Sequence, residues 1–317
     1  MRKIFYLITL VLLSCTKRGD VIIDESTFPD YNFRSFVLSQ WYGKDGLLTS
    51  SEIEEVTEIN VEKLSIEDLK GIEFFTSLGT LSCKGNTLTS LDLSHNIELW
   101  RLFCTDNHLM ALDLTKNIEL QTLRCDGNEL TVLDLSHNSK IRNIDCNYNK
   151  LATLDVSKNF DLESLMCDHN MLGTLDVSNN KKLEKLWCGD NHLKTLDISK
   201  NKALKALYCD NNQIATLQVS DNELLETLHC GGNPIRNLDV SRNTQLESLA
   251  CNNNQLRSID LARNTALKEL WCYGNMLMEL DLSKNAALKV LWCYDNQLPE
   301  LDLSNNKDIV DIRLNNK

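Results

Sequence analysis

Eleven thiols recur at a constant spacing of 21 residues: Cys83, Cys104, Cys125, Cys146, Cys167, Cys188, Cys209, Cys230, Cys251, Cys272 and Cys293. Thiols in such a series could pair as disulfides or ligate a soft metal. An odd number cannot pair completely, and the series has no C-x-x-C clusters of the kind that hold zinc. A third reading is that each cysteine is a small apolar side chain in a tight interior, buried and unpaired, and this is what the spacing favours. Six histidines (His95, His108, His137, His169, His192 and His229) occupy several different places in the repeat and so share no common site. His169, beside Asp168 and Asp190, is the one carboxylate–imidazole grouping on a face expected to be open. G-x-S-x-G, H-E-x-x-H and phosphate-loop signatures do not occur. The reading is non-catalytic, with no catalytic residues, no metal site and no cofactor expected.

The elements that position these residues follow from the period. A fixed repeat of roughly 20–50 residues marks stacked supersecondary units, in which each unit's inner face is buried only by its neighbours. The coil around Cys125 reads Leu123-Arg-Cys125-Asp-Gly-Asn128-Glu-Leu130, then Leu133-Asp-Leu135-Ser136-His-Asn138, with Ile141 closing the apolar set. Alternation at Leu123-x-Cys125 and at Leu133-x-Leu135 predicts two short extended segments per coil. One asparagine series runs Asn86, Asn107, Asn128 to Asn296 and a second runs Asn96, Asn117, Asn138 to Asn306. Asparagine mimics a backbone turn and can satisfy polar groups buried at a bend, so both series are structural. A third column, from Asp92 to Asp302 with Gln218 as its one substitution, often has a base three residues on, as at Lys116 and Lys158.

These residues resemble the leucine-rich repeat, L-x-x-L-x-L-x-x-N-x-L, with cysteine in place of one leucine. The resemblance runs from Leu78 to the C-terminus and extends to internalin-like bacterial proteins. It implies a mainly β, or α+β, repeat fold: a leucine-rich-repeat solenoid whose strands line a concave binding surface. Outward positions on that strand lie four, three and one before the cysteine, and one and two after it. Nine of the ten aromatic residues in the array sit there: Trp100, Phe103, Tyr148, Trp187, Tyr208, Trp271, Tyr273, Trp292 and Tyr294. Aromatic patches on an open face mark interaction surfaces. Two clusters are expected. One groups Met166, Trp187, Tyr208 and His229 with Asp168, His169, Asp190 and Asp210; the other groups Trp271, Tyr273, Trp292, Tyr294 and Asp295. Flat rings beside carboxylates suit a basic or mixed peptide and also suit sugar rings. Mutual packing of the rings along the sheet is the alternative without a ligand.

The ends of the chain differ from the array. Arg2 and Lys3 precede an apolar stretch, Ile4 to Leu13, too short to span a bilayer and typical of a signal peptide. It ends Leu12-Leu13-Ser14-Cys15, which looks like a bacterial lipobox, so residues 1–15 are expected to be a lipoprotein signal ending at lipidated Cys15. Thr16 follows rather than Asp, as in outer-membrane sorting. Residues 16–27 then form a tether, residues 28–77 a helical cap with an atypical first repeat, and residues 78–317 the array. In the cap, Trp41 to Glu52 is similar to a 12-residue EF-hand loop: Asp45, Gly46, Leu48 and Glu52 match it, but Trp41 and Gly43 stand at ligand positions without side-chain oxygens. The loop reads as degenerate. Helices are expected from Phe28-Pro29-Asp30 through Trp41 and from Ser51 through Ile59. Leu64, Ile66, Leu69, Ile72, Phe75 and Leu78 form the first repeat, and Ile309, Ile312 and Leu314 begin a twelfth coil.

With 33 Lys and Arg against 45 Asp and Glu, the formal net charge is −12, which argues against nucleic acid as a partner. The expected function is recognition of a protein or peptide by an envelope-anchored monomer that touches the membrane through its lipid alone. A glycan receptor and a structural envelope protein without a ligand are the alternatives. The last coil is a place where self-association could occur.

Overall fold

The computed structural model describes residues 19–314. Cys15, and with it the expected signal and lipidation site, lies outside the described residues. The chain forms two compact units, Met1–Leu130 and Thr131–Lys317.

The first unit begins with a short antiparallel ribbon, β1 (Val21–Ile22) against β2 (Leu47–Leu48). The stretch expected as a tether therefore already carries paired backbone. Helix α1 (Tyr31–Ser39) starts at Asp30, whose Oδ1 accepts the Phe33 N–H at 2.9 Å. Asp30 Oδ2 accepts the Glu67 N–H at 2.8 Å, so one carboxylate caps the helix and ties it to the first coil. Phe28, Phe33 and Phe75 are fully buried, and Phe28 meets the other two at 5.6 and 6.4 Å between ring centroids. Gly71, at φ +105°, passes where a Cβ would enter the Phe28 ring.

Helix α2 covers only Ser50–Glu55. The helix expected to reach Ile59 stops because Val56 is extended and Ile59 belongs to β3 (Glu58–Asn60), paired with Leu81 of β4 (Thr80–Ser82). β-Branched Val56, Thr57 and Ile59 gain more as a strand on the sheet than as another helical turn. Consequently the first coil starts earlier than Leu64, which is exposed. Val61 fills the cysteine slot, and its N–H donates to the Ser82 carbonyl as that of Cys83 does to Phe103. In the EF-hand-like loop both acidic side chains serve the backbone. Asp45 Oδ1 accepts the Leu47 N–H at 3.1 Å, and Glu52 Oε2 accepts the Thr49 N–H at 2.8 Å in a capping box. β5 (Arg101–Phe103) and β6 (Thr122–Arg124) continue the parallel sheet of this unit.

The second unit repeats one coil. Its parallel strands are β7 (Asn143–Asp145), β8 (Ser164–Met166), β9 (Lys185–Trp187), β10 (Ala206–Tyr208), β11 (Thr227–His229), β12 (Ser248–Ala250), β13 (Glu269–Trp271), β14 (Val290–Trp292) and β15 (Asp311–Arg313). Each pairs in register with the next, as Trp187 with Tyr208 and Tyr208 with His229. From β7 to β14 the middle residue of the strand and the following cysteine point inward; Leu186 and Cys188 have no exposed surface. Of the two extended segments expected per coil, the first forms the ladder. The second keeps its alternation, with Leu196 and Ile198 buried and Asp197 exposed, but forms no strand ladder.

All eleven cysteines of the array are buried thiols, none of them in a disulfide. Burial pushes the Cys251 thiol up to about 12, and the other thiols with resolved shifts also move upward. Thiols held this far from ionisation are packing groups rather than nucleophiles. The asparagine series hold the bends. Asn191 Nδ2 donates to the carbonyls of Cys167 and Gly189 at 3.0 and 2.8 Å, while its Oδ1 accepts the Leu172 N–H at 2.9 Å. In the second series Asn201 Nδ2 donates to Val177 and Asn180 carbonyls, both at 2.9 Å. The aspartate column caps turns: Asp197 Oδ1 accepts the Ser199 N–H at 2.9 Å, which holds its carboxyl below the usual range.

Candidate functional site

On each strand from β7 to β14, the last residue, just before the cysteine, lies on the outer side, and in-register pairing brings these residues side by side. Trp187 and Tyr208 lie 4.9 Å apart between ring centroids, and Tyr208 and His229 lie 4.6 Å apart. Next in line is Ala250, too short to interrupt the row, so His229 reaches Trp271 at 5.7 Å, and Trp271 meets Trp292 at 6.3 Å. The two clusters expected from the sequence are therefore one ridge from β9 to β14. Beside it, Tyr273 and Tyr294 stack at 4.6 Å with 4° between planes. Most of these rings are half-buried against one another, so mutual packing contributes to the sheet and also fixes their rotamers.

Beside the ridge, two residues that directly follow a cysteine carry charge, Asp168 and Asp210. Asp168 Oδ1 accepts the Gly189 N–H at 2.6 Å, and Asp210 Oδ1 accepts the Gly231 N–H at 2.8 Å. Gly189 separates the two aspartates, leaving bare backbone between carboxylates on β8 and β10 coils. Burial pushes both carboxyls up to about 6, against the lowering effect of those N–H bonds. His229, hydrogen-bonded to Ser248 at 3.1 Å, is pushed down by burial.

These shifts have a sign. A carboxyl raised above its unfolded value binds more protons in the folded state, so stability falls as pH rises from about 4 to about 6. At pH 7 the two ionised groups oppose folding by about 1–2 kcal/mol each, after reduction for the part of each that stays in water. Asp168→Asn with Asp210→Asn is expected to raise the melting temperature at pH 7 and to leave it unchanged near pH 4. Melting curves across that range check it; a fall at pH 7 would contradict the assignment. The turn aspartates act oppositely, and only below their unfolded value near 3.8, so the two windows are separate.

The second position after the cysteine has a left-handed backbone in coil after coil, at Asp106, Tyr148, His169, Asp190, Asn211, Asn253 and Asp295 as well as at Gly127, Gly232 and Gly274. Glycine, asparagine, aspartate and histidine are the residues most often found in that conformation, whereas a bulky tyrosine carries a cost there. Tyr148 and His169 occupy adjacent coils and stack at 4.2 Å with 15° between planes. His169 Nε2 then lies 3.4 Å from Asp190 Oδ2, and Asp190 Oδ1 accepts from Asn211 Nδ2 at 3.0 Å. The sequence carried this signal as a column of Gly, Asn and Asp, read only as outward positions.

A functional domain of InlJ from Listeria monocytogenes, which includes a cysteine ladder, superposes with a TM-score of 0.84 at 34% sequence identity over 93% of this chain and 71% of that one. This chain belongs to the internalins. A second internalin, inlF from Listeria monocytogenes str. 4b F2365, matches at 20% identity and TM-score 0.75 over 92% of this chain and 97% of that one. The Leptospira interrogans leucine-rich-repeat protein LIC12759 shares the fold at 20% identity and TM-score 0.66, over 76% and 74% of the two chains. No family model matches the sequence, and neither does any curated protein.

Not every site residue expected in this internalin stands on the ridge. Trp100 and Phe103 belong to the first unit, where Arg101 lies 4.0 Å over Trp100 and Arg124 5.8 Å over Phe103. At the far end of the second unit Trp292 is covered: the Arg313 guanidinium lies 3.7 Å over its ring, and its Nε1 donates to Asp311 Oδ2 at 3.0 Å. Asp295 is exposed next to the Tyr294 stack. Among the described residues no helix is long and apolar enough to cross a membrane, and no group of three metal-ligating side chains is placed to hold an ion.

Proposed function

We propose that this internalin is a non-catalytic recognition protein whose ridge from Trp187 to Trp271, with Asp168, Asp190 and Asp210 alongside, binds a basic segment of a protein partner. The contiguous row of rings over five strands carries the proposal, because its geometry is set before any ligand arrives. Preorganised aromatic side chains lose little rotamer freedom on binding. Two ionised carboxyls retained at a cost to stability, and a tyrosine, Tyr148, retained in a left-handed backbone, are better accounted for by binding than by packing. Solved leucine-rich-repeat domains of the same fold include one in an octameric complex with Latrophilin 3 and Unc5D, which agrees with a protein partner. Peptide and glycan arrays probed with the Cys15→Ala chain test the reading. Retention on cationic peptides that weakens with Trp187→Ala supports it, and retention on glycans alone overturns it.

We propose further that the chain is an exported lipoprotein held in the outer membrane by acylation of Cys15. The apolar run from Ile4 to Leu13 and the Leu12-Leu13-Ser14-Cys15 motif support this. Cys15→Ala is expected to move the protein from the detergent phase to the aqueous phase on phase separation. A variant that partitions as the parent does would remove the anchor.

A further inference from the structure

On the flank of the second unit that follows the strand, one stretch has the opposite charge to the ridge. A groove of about 560 Å³ is bounded by Gln218, Pro234, Arg236, Asn237 and Gln255. Another of about 490 Å³ shares Arg236, Asn237 and Gln255 with it and adds Arg257 and Met276. Arg236 and Arg257 hold equivalent places in neighbouring coils, six residues after Cys230 and Cys251, and both are exposed. Equivalent backbone positions in adjacent parallel strands lie about 4.8 Å apart, so two guanidinium groups serve one stretch of surface. Arg236 donates from Nε to Gln255 Oε1 at 3.1 Å, which orients the fork while leaving its terminal nitrogens for a ligand.

Two arginines together are unexpected on a chain of net charge −12. The aspartate column is interrupted at this place: Gln218 stands between Asp197 and Asp239 and itself lines the groove. Asp239 turns its Oδ1 to its own Ser241 N–H at 2.9 Å. We propose that this groove binds an acidic peptide segment, with Arg236 and Arg257 taking its carboxylates and the amides of Gln218, Asn237 and Gln255 pairing with its backbone. Amide side chains donate and accept, as a peptide backbone requires. The groove has no aromatic lining on which a sugar or a base could stack, and the overall negative charge disfavours a nucleic-acid backbone. The inference is independent of the ridge, which lies on another face and attracts the opposite charge.

The probe is a fluorescein-labelled hexaglutamate peptide with blocked ends, titrated into the full chain at low ionic strength and read by anisotropy. Saturable binding is expected. Arg236→Gln with Arg257→Gln is expected to weaken it by about tenfold or more, and Gln218→Asp, which restores the missing carboxylate, by about threefold. Arg242→Gln, at an exposed arginine paired with Glu223 outside the groove, is expected to change nothing. All of these positions are exposed, so melting temperatures should stay at the parent value. Absence of saturable binding, or equal loss with Arg242→Gln, would overturn the site. Binding of inorganic sulfate as tight as that of the peptide, or binding of chondroitin sulfate in place of hexaglutamate, would overturn the peptide assignment.

Discussion

Asn191→Asp is expected to destabilise the second unit by about 4 kcal/mol or more, and Asn191→Ala by about 3 kcal/mol. The side chain is 4% exposed. Its Nδ2 lies within hydrogen-bonding distance of three carbonyls, those of Cys167, Cys188 and Gly189, and its Oδ1 accepts the Leu172 N–H. Alanine leaves the Leu172 N–H without its acceptor and opens a hole the size of an amide. Aspartate keeps the shape and the acceptor but brings a buried carboxylate against carbonyl oxygens, so its larger cost isolates the lost donor from the lost volume. Asn201→Ala breaks two bonds rather than three, and is expected to cost less, about 2 kcal/mol. Urea denaturation of the three variants gives the order. If Asn191→Ala matches a surface substitution, the asparagine series is not what holds the bends.

Columns of identical residues made the array readable in advance. Cys188, Asn191, Leu196 and Asn201 repeat with their equivalents every 21 residues, and a contact that repeats in register can be read from one dimension. What broke the reading lies where the columns change. Val61 fills the place of a cysteine, and its coil is one residue longer before Cys83, so the first coil was read as starting at Leu64 and its strand was absorbed into a helix ending at Ile59. The ridge was legible in its members but not in its continuity, because only the structure lets His229 lean across Ala250 to Trp271. The cover over Trp292 was hidden for a similar reason: Arg313 stands one before Leu314, which replaces the expected cysteine, and the pairing that brings the guanidinium over the ring belongs to a coil without the marker.

That cover separates two tryptophans that look equivalent in sequence. Trp187→Ala is expected to weaken a cationic peptide ligand by about 1–3 kcal/mol, as for a central aromatic anchor, with a small change in melting temperature. Trp292→Ala is expected to do the reverse, because its ring face is already occupied by Arg313 and its N–H by Asp311. Its loss should lower the melting temperature and leave the affinity within about twofold, as for a residue that supports the ridge without touching the partner. The Trp187 contact should also depend on pH and salt in a way that packing cannot imitate. Asp168 and Asp210 lose their charge as pH falls through about 6, so affinity should drop between pH 7 and pH 5 in the parent. With Asp168→Asn and Asp210→Asn the pH dependence should vanish along with much of the sensitivity to ionic strength. Titration calorimetry at pH 7 and pH 5 with the parent, both tryptophan variants and the double asparagine variant decides the matter. Equal losses from Trp187→Ala and Trp292→Ala, or an affinity indifferent to pH, would remove the ridge and its carboxylates as the recognition surface.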